Sequence, residues 1–176
     1  MAMRLTRNLL PALLLGACLG GTPLLAAEPA SGLSGGEQAG YLAELKRLYL
    51  TQNERQALLA HSNDLLRTYA LRAAYQVGQA QRQDLLYQLR VDSPGELLVR
   101  EQIGDPQSGD VAVHNRRISL FGVDPFIRYD CPPSGISCVF YHPADGSPLL
   151  TIVRDHQGAA ELAKALSFLI RNLQKG

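Results

Sequence analysis

The stretch from Ile127 to His142 constrains this chain more than any other, because it sets Cys131 and Cys138 at the two mouths of the short loop Pro132–Ser137. Pro132 and Pro133 fix φ and Gly135 permits φ > 0, so the loop reads as a turn. Apolar-rich runs lie on either side. The expectation is two antiparallel strands closed by a Cys131–Cys138 bridge. Redox-active dithiols usually stand as Cys-x-x-Cys, where the spacing and a helix N-terminus depress one thiol's pKa. Six intervening residues in a β-turn point instead to a structural bridge, and so to an oxidising compartment.

The N-terminus points the same way. Met1 to Asn8 carries Arg4 and Arg7 and no acid, Leu9 to Leu19 is apolar, and Leu24 to Ala27 ends in small residues before Glu28. A basic head, a short apolar centre and a small-residue exit make a secretory signal peptide over 1–27. The apolar run is too short for a permanent membrane anchor. Within it, Leu15, Gly16, Ala17 and Cys18 resemble the lipobox of bacterial lipoproteins, with leucine three before and alanine just before the cysteine. That resemblance implies cleavage after residue 17 and acylation of Cys18. The residues after Cys18 stay apolar through Ala27, where a lipoprotein usually turns polar, so cleavage after Ala27 is the competing reading and the slightly favoured one. In either case Cys131 and Cys138 remain as an even pair.

With 176 residues the chain has room for one domain and a real core. Losing the first 27 residues takes Lys+Arg from 17 to 15 against 16 acids, so the formal net charge moves from +1 to −1. A near-neutral chain of mixed charge carries no electrostatic footprint for nucleic acid and no long-range steering field.

After a linker over 28–36, rich in Gly and Ser, residues 37 to about 90 contain no proline. Tyr41, Leu42, Leu45, Leu48 and Tyr49 recur at helical spacing. Thr51 and Glu54 have the capping-box pattern, so a second helix is expected from Thr51, with a break at Ser62–Asp64 or Gly78. Leu85, Leu86, Leu89 and Val91 read as its last apolar patch, before Ser93, Pro94 and Gly95 stop it. The period then falls to 2. Glu96–Ile103 is expected as a strand. Over Asp110–Phe121, Val111 and Val113 have one parity and Ile118 and Leu120 the other, so a bulge or hairpin is expected near Asn115, Arg116 and Arg117. Asp145 and Gly146 mark a hairpin turn before the strand from Pro148, and Asp155 is placed to cap a last helix whose stripe is Leu162, Leu166, Leu169, Ile170 and Leu173. The expected fold is a single α+β domain over 37–176. It has an N-terminal segment of two or three helices, an antiparallel meander of four to six strands with a disulfide-closed hairpin, and a C-terminal amphipathic helix packed on the sheet.

No catalytic motif stands out. Ser134 and Ser137 lie in a turn without a Gly-x-Ser-x-Gly elbow, and no phosphate-cradling loop is present. His61, His114, His142 and His156 lack metal-ligand spacing, although His142, Asp145 and His156 would approach one another if the hairpin turn and the last helix start share a side. No cofactor is expected. Arg116 and Arg117 read as a basic tip, and Pro132, Pro133, Ser134 and Gly135 as a rigid loop presentable to a partner. Most tyrosines read as core residues with hydroxyls at the rim. Together with surplus amphipathic helix, these features point to a periplasmic protein, soluble or held to the outer membrane through Cys18. It would bind another envelope protein as an accessory or assembly factor. The alternatives are a small enzyme or metal-binding protein using His142, Asp145 and His156, and an inhibitor or immunity-type binding protein.

Overall fold

A computed structural model describes residues 35–176. The expected signal segment, Cys18 and residues 28–34 of the expected linker lie outside the described residues. Helix α1, Gly35–Leu48, begins two residues inside that linker. Helix α2 spans Glu54–Thr68 and is followed by one 3-10 turn, Ala73–Tyr75. Six strands come next: β1 Asp84–Ser93, β2 Glu96–Gly104, β3 Val111–Ser119, β4 Tyr129–Asp130, β5 Ser137–Tyr141 and β6 Pro148–Val153. Helix α3, His156–Leu173, completes the described chain. The fold is α+β as expected, but its strands form two antiparallel sheets, β1-β2-β3 and β4-β5-β6, instead of one meander.

Helix α2 starts at Glu54 because Asn53, not Thr51, supplies the cap: the Gln56 N–H donates to Asn53 Oδ1 at 3.0 Å. Thr51 accepts from the Asn53 N–H instead and donates to Gln56 Oε1. No break occurs at Ser62–Asp64. Ser62 is buried and its hydroxyl donates back to Leu58 O, while Asn63 and Asp64 spend their side chains on other elements. At the far end the expected Asp155 cap is present, with the Gly158 N–H donating to Asp155 Oδ1 at 2.6 Å. The stripe from Leu162 to Leu173 is buried, and so are Ala159, Ala165 and Phe168.

Two further expectations fail. Residues 84–93 are strand β1, not helix, and the break at Ser93, Pro94 and Gly95 is the β1–β2 hairpin turn. The reason lies in pairing. Leu85, Tyr87, Leu89 and Val91 share one face of the strand, and each meets a β2 residue across it, Leu89 opposite Val99 and Val91 opposite Leu97. Strand β3 is unbroken, paired with β2 from Gly104↔Val111 to Glu96↔Ser119 without a shift. Its parity conflict is real and is tolerated because only one end is covered. Ile118 is buried, whereas Val111 and Val113 remain 63% and 42% exposed.

Three residues after α2 join the two sheets. The Val153 N–H donates to Tyr69 O, Ala70 forms a bridge with Ile152 of β6, and the Leu85 N–H donates to Leu71 O. Behind them the core gathers Leu42 and Leu45 of α1, Ala57, Leu58 and Leu66 of α2, Leu89, Val99, Ile118, Phe140, Ile152 and the inner face of α3. Helices α1 and α2 therefore pack within the domain, α2 against α3 and β1. The surplus helix expected from the sequence does not exist as such.

Glycine matters most at Gly95, which is buried with φ +72° and has the Phe121 ring where a Cβ would stand. Gly95→Ala is expected to cost about 1–2 kcal/mol by denaturant titration. Gly40→Ala, inside α1 with no atom within 4 Å of the new Cβ, is expected to add up to about 1 kcal/mol.

Candidate functional site

Two surface features lie on the β1-β2-β3 sheet, one at each edge. On the β1 side, the Leu89 N–H donates to Asn63 Oδ1 at 2.7 Å and Asn63 Nδ2 donates to Leu89 O at 3.0 Å. A helix side chain thus takes the place of a neighbouring strand. Leu71 serves Leu85 in the same way, and Asp84 Oδ1 accepts the Ala73 N–H at 2.8 Å. In an antiparallel pair alternate residues turn their backbone groups to the same side, so the edge groups of Tyr87, between Leu85 and Leu89, also point away from β2. Here α2 and the sheet enclose a cleft of about 350 Å³. Its floor is the outer face of β1 and β2, with Gln88 opposite Arg100 and Leu86 opposite Gln102; Arg67 and Arg72 form the wall.

The cations of this cleft are only partly neutralised. Arg67 meets Asp64 at 2.8 Å and Arg72 stands 4.0 Å from Asp84. Arg100 has no ion-pair partner among the described residues. With the Gln102 amide turned to face it, the Gln102 oxygen accepts from Arg100 Nε at 3.1 Å and Nη2 at 3.0 Å. A neutral acceptor orients the guanidinium without cancelling its charge.

The opposite edge belongs to β3. The Leu120 N–H donates to Gly95 O, so even-numbered residues of the strand face β2 and Val111, Val113, Asn115 and Arg117 face outward. No strand pairs with that edge among the described residues. Arg116 and Arg117 are not a tip. They sit in mid-strand on opposite faces, Arg116 Nη1 donating to Pro148 O at 2.8 Å and Arg117 Nε meeting Asp92 Oδ2 at 2.6 Å. Asp92 holds the exposed Arg117 guanidinium more firmly protonated than usual.

The expected bridge joins Cys131 and Cys138, whose Cα atoms are 4.2 Å apart, beside the β4–β5 pairing. Cys138 is fully buried. The loop between them is tied down, with the Gly135 N–H on Pro132 O, the Arg154 N–H on Ile136 O and Arg154 Nη1 on Pro133 O. Pro133 and Ser134 are exposed, Pro132 and Gly135 half-buried. Gly135 has no positive φ, and a Cβ there would make ordinary contacts, so glycine is not demanded by that turn. His142 closes the β5–β6 turn, its Nδ1 within 3.2 Å of the Ala144 N and 3.3 Å of Asp145 Oδ1. Exposed Asp145 is held below the usual carboxylate range, first by the Ser147 backbone N–H. His156 stands exposed at the start of α3. Among the described residues no three His, Cys, Asp or Glu side chains gather to hold a metal ion, so His142, Asp145 and His156 do not form a cluster.

A polar network missed by sequence reasoning links the three helices. Tyr41 donates to Glu161 Oε1 at 2.7 Å, His61 Nε2 lies 3.1 Å from the same oxygen, and Tyr49 lies 3.1 Å from His61 Nδ1 while donating to Asp64 Oδ2 at 2.9 Å. The His61 hydrogen bond, with lesser help from Tyr41, holds the Glu161 carboxyl below its ordinary range against the opposing effect of burial. Burial, then the bond to Asp64, pushes the Tyr49 phenol up to about 12, and burial raises Tyr41 further. Only the helical spacing of Tyr41 and Tyr49 in the sequence hinted at this. The network binds helix to helix and does not line the cleft. No family model, curated protein or solved structure matches the chain.

Two outcomes follow from these contacts. Reducing the bridge is expected to lower the melting temperature, by under about 3 kcal/mol in stability, without conferring catalysis of insulin reduction. Because its folded pKa is depressed, Glu161 contributes stability above the ordinary carboxylate range, and that contribution is lost as pH falls through the depressed value. Glu161→Gln is therefore expected to be less stable than the parent at pH 7 in urea titrations, with the gap narrowing in acid.

Proposed function

We propose that this chain is an exported bacterial envelope protein that acts by binding another envelope protein. It serves as an accessory or assembly factor of a secretion, pilus, transport or polysaccharide-export system and performs no catalysis. The contact is made at β3, by addition of a partner strand. One observation supports this reading above the others: a nine-residue strand, all of it exposed except Ile118, ends its sheet with a row of outward backbone groups. Main-chain pairing at such an edge supplies affinity, and alternate side chains supply selectivity. Exposed Val111 and Val113 offer apolar contact beside it. The Cys131–Cys138 bridge agrees with an oxidising compartment. The proline-rich loop Pro132–Gly135, held through Arg154, is a secondary contact in this scheme.

The test exploits the alternation along β3. Proline is tolerated on an edge strand where its missing N–H faced solvent. Val113→Pro is expected to leave the fold within about 1 kcal/mol and to abolish partner capture. A photo-crosslinker at residue 113 in exporting cells is expected to trap an envelope protein, and the same group at Gln157 is not. Absence of any crosslink from residues 111, 113 and 115 would remove the edge as the contact.

A further inference from the structure

We propose that the cleft between α2 and the β1–β2 face is a binding site for a small oxyanion, a ligand bearing a carboxylate or phosphate group. Three cations from separate parts of the chain line it: Arg67 from the end of α2, Arg72 from the connection beyond, and Arg100 from the middle of β2. No Asp or Glu is among the lining residues. The carboxylates nearest to hand are Asp64 and Asp84. The Asp64–Arg67 pair is largely exposed and so weakly held, and Asp84 reaches Arg72 only at 4.0 Å while also accepting the Ala73 N–H. Arg100 keeps its full charge and is oriented by an amide alone.

The rest of the lining suits the same chemistry. Carboxylate and phosphate oxygens only accept hydrogen bonds, and guanidinium forks present paired donors to them. The Tyr87 backbone N–H adds a donor at the strand edge, fixed in direction by the bonds of Leu85 and Leu89 on either side. Those two bonds also close the edge to a continuous incoming strand, since Leu71 and Asn63 already occupy it. A compact ligand fits there and an extended peptide does not. A volume of about 350 Å³ lies at the small end of ligand sites. This site is separate from β3 and does not depend on the proposed partner contact.

The test is titration of the purified protein with inorganic phosphate and, separately, succinate, at ionic strength held constant with sodium chloride. Amide and guanidinium shifts are followed by NMR. At least one probe is expected to give saturable shifts centred on Tyr87, Arg72 and Arg100; saturation by phosphate alone or succinate alone assigns the ligand class. Arg100→Gln and Arg72→Gln are each expected to weaken binding about tenfold, and Arg117→Gln, on the same sheet face but outside the cleft, to leave it within about twofold. Circular dichroism checks the fold of each variant, and either cleft variant alone carries the comparison. Linear, unsaturable shifts with both probes, shifts centred elsewhere, or binding undiminished by a folded cleft variant would overturn the proposal.

Discussion

The three residues from Tyr69 to Leu71 hold this fold together. Neither three-stranded sheet is self-sufficient, because a small sheet needs a covered face and an attachment for its edges. Tyr69 and Ala70 satisfy the edge of β6, and Leu71 satisfies the edge of β1, one residue further on. The chain leaves α2 just before this point, so the helix is delivered against β1 and α3. The Tyr69 ring also covers Gly158, leaving no room for a Cβ at the start of α3. Two sheets, two helices and one edge strap meet within three residues.

Much of this was legible, and the failures have physical causes. The last helix, its Asp155 cap, the disulfide hairpin and the Asp145–Gly146 turn follow from local rules that tertiary structure leaves intact. Strand β1 is ambiguous in the sequence because Leu85, Leu86 and Leu89 fit a helical face, while Leu85, Tyr87, Leu89 and Val91 fit a strand face equally well. Pairing with β2 decided between them, and pairing is not local. At Ser62–Asp64 the cap-forming side chains suggest a helix break. In the fold Asn63 serves Leu89 and Asp64 serves Tyr49, partners 26 and 15 residues away.

The cleft was invisible in the sequence for a related reason. Nothing in the sequence singles out Arg67, Arg72 or Arg100 in a chain of near-zero net charge. Only the hairpin of β1 and β2 lying against α2 brings them together. By contrast Arg116 and Arg117, adjacent in sequence, are separated by the strand itself, which sends them to opposite faces. Neighbours in the chain became strangers, and distant residues became a site. The three candidate ligands His142, Asp145 and His156 illustrate the same rule, because the turn unites the first two and leaves the third on α3.

Those two arginines have a consequence for β3. An open edge is a template for any strand, including the same strand of a second molecule. Antiparallel pairing of two β3 strands about Asn115 would place Arg117 across from Val113 and Arg116 across from His114, bringing the two Arg116 side chains onto one face as diagonal neighbours. Like charges on diagonal neighbours weaken such pairing. A strand carrying carboxylates would meet the same groups as attractions. Under the proposed edge contact, these charges disfavour pairing of β3 with its own copy and favour a partner strand that carries carboxylates.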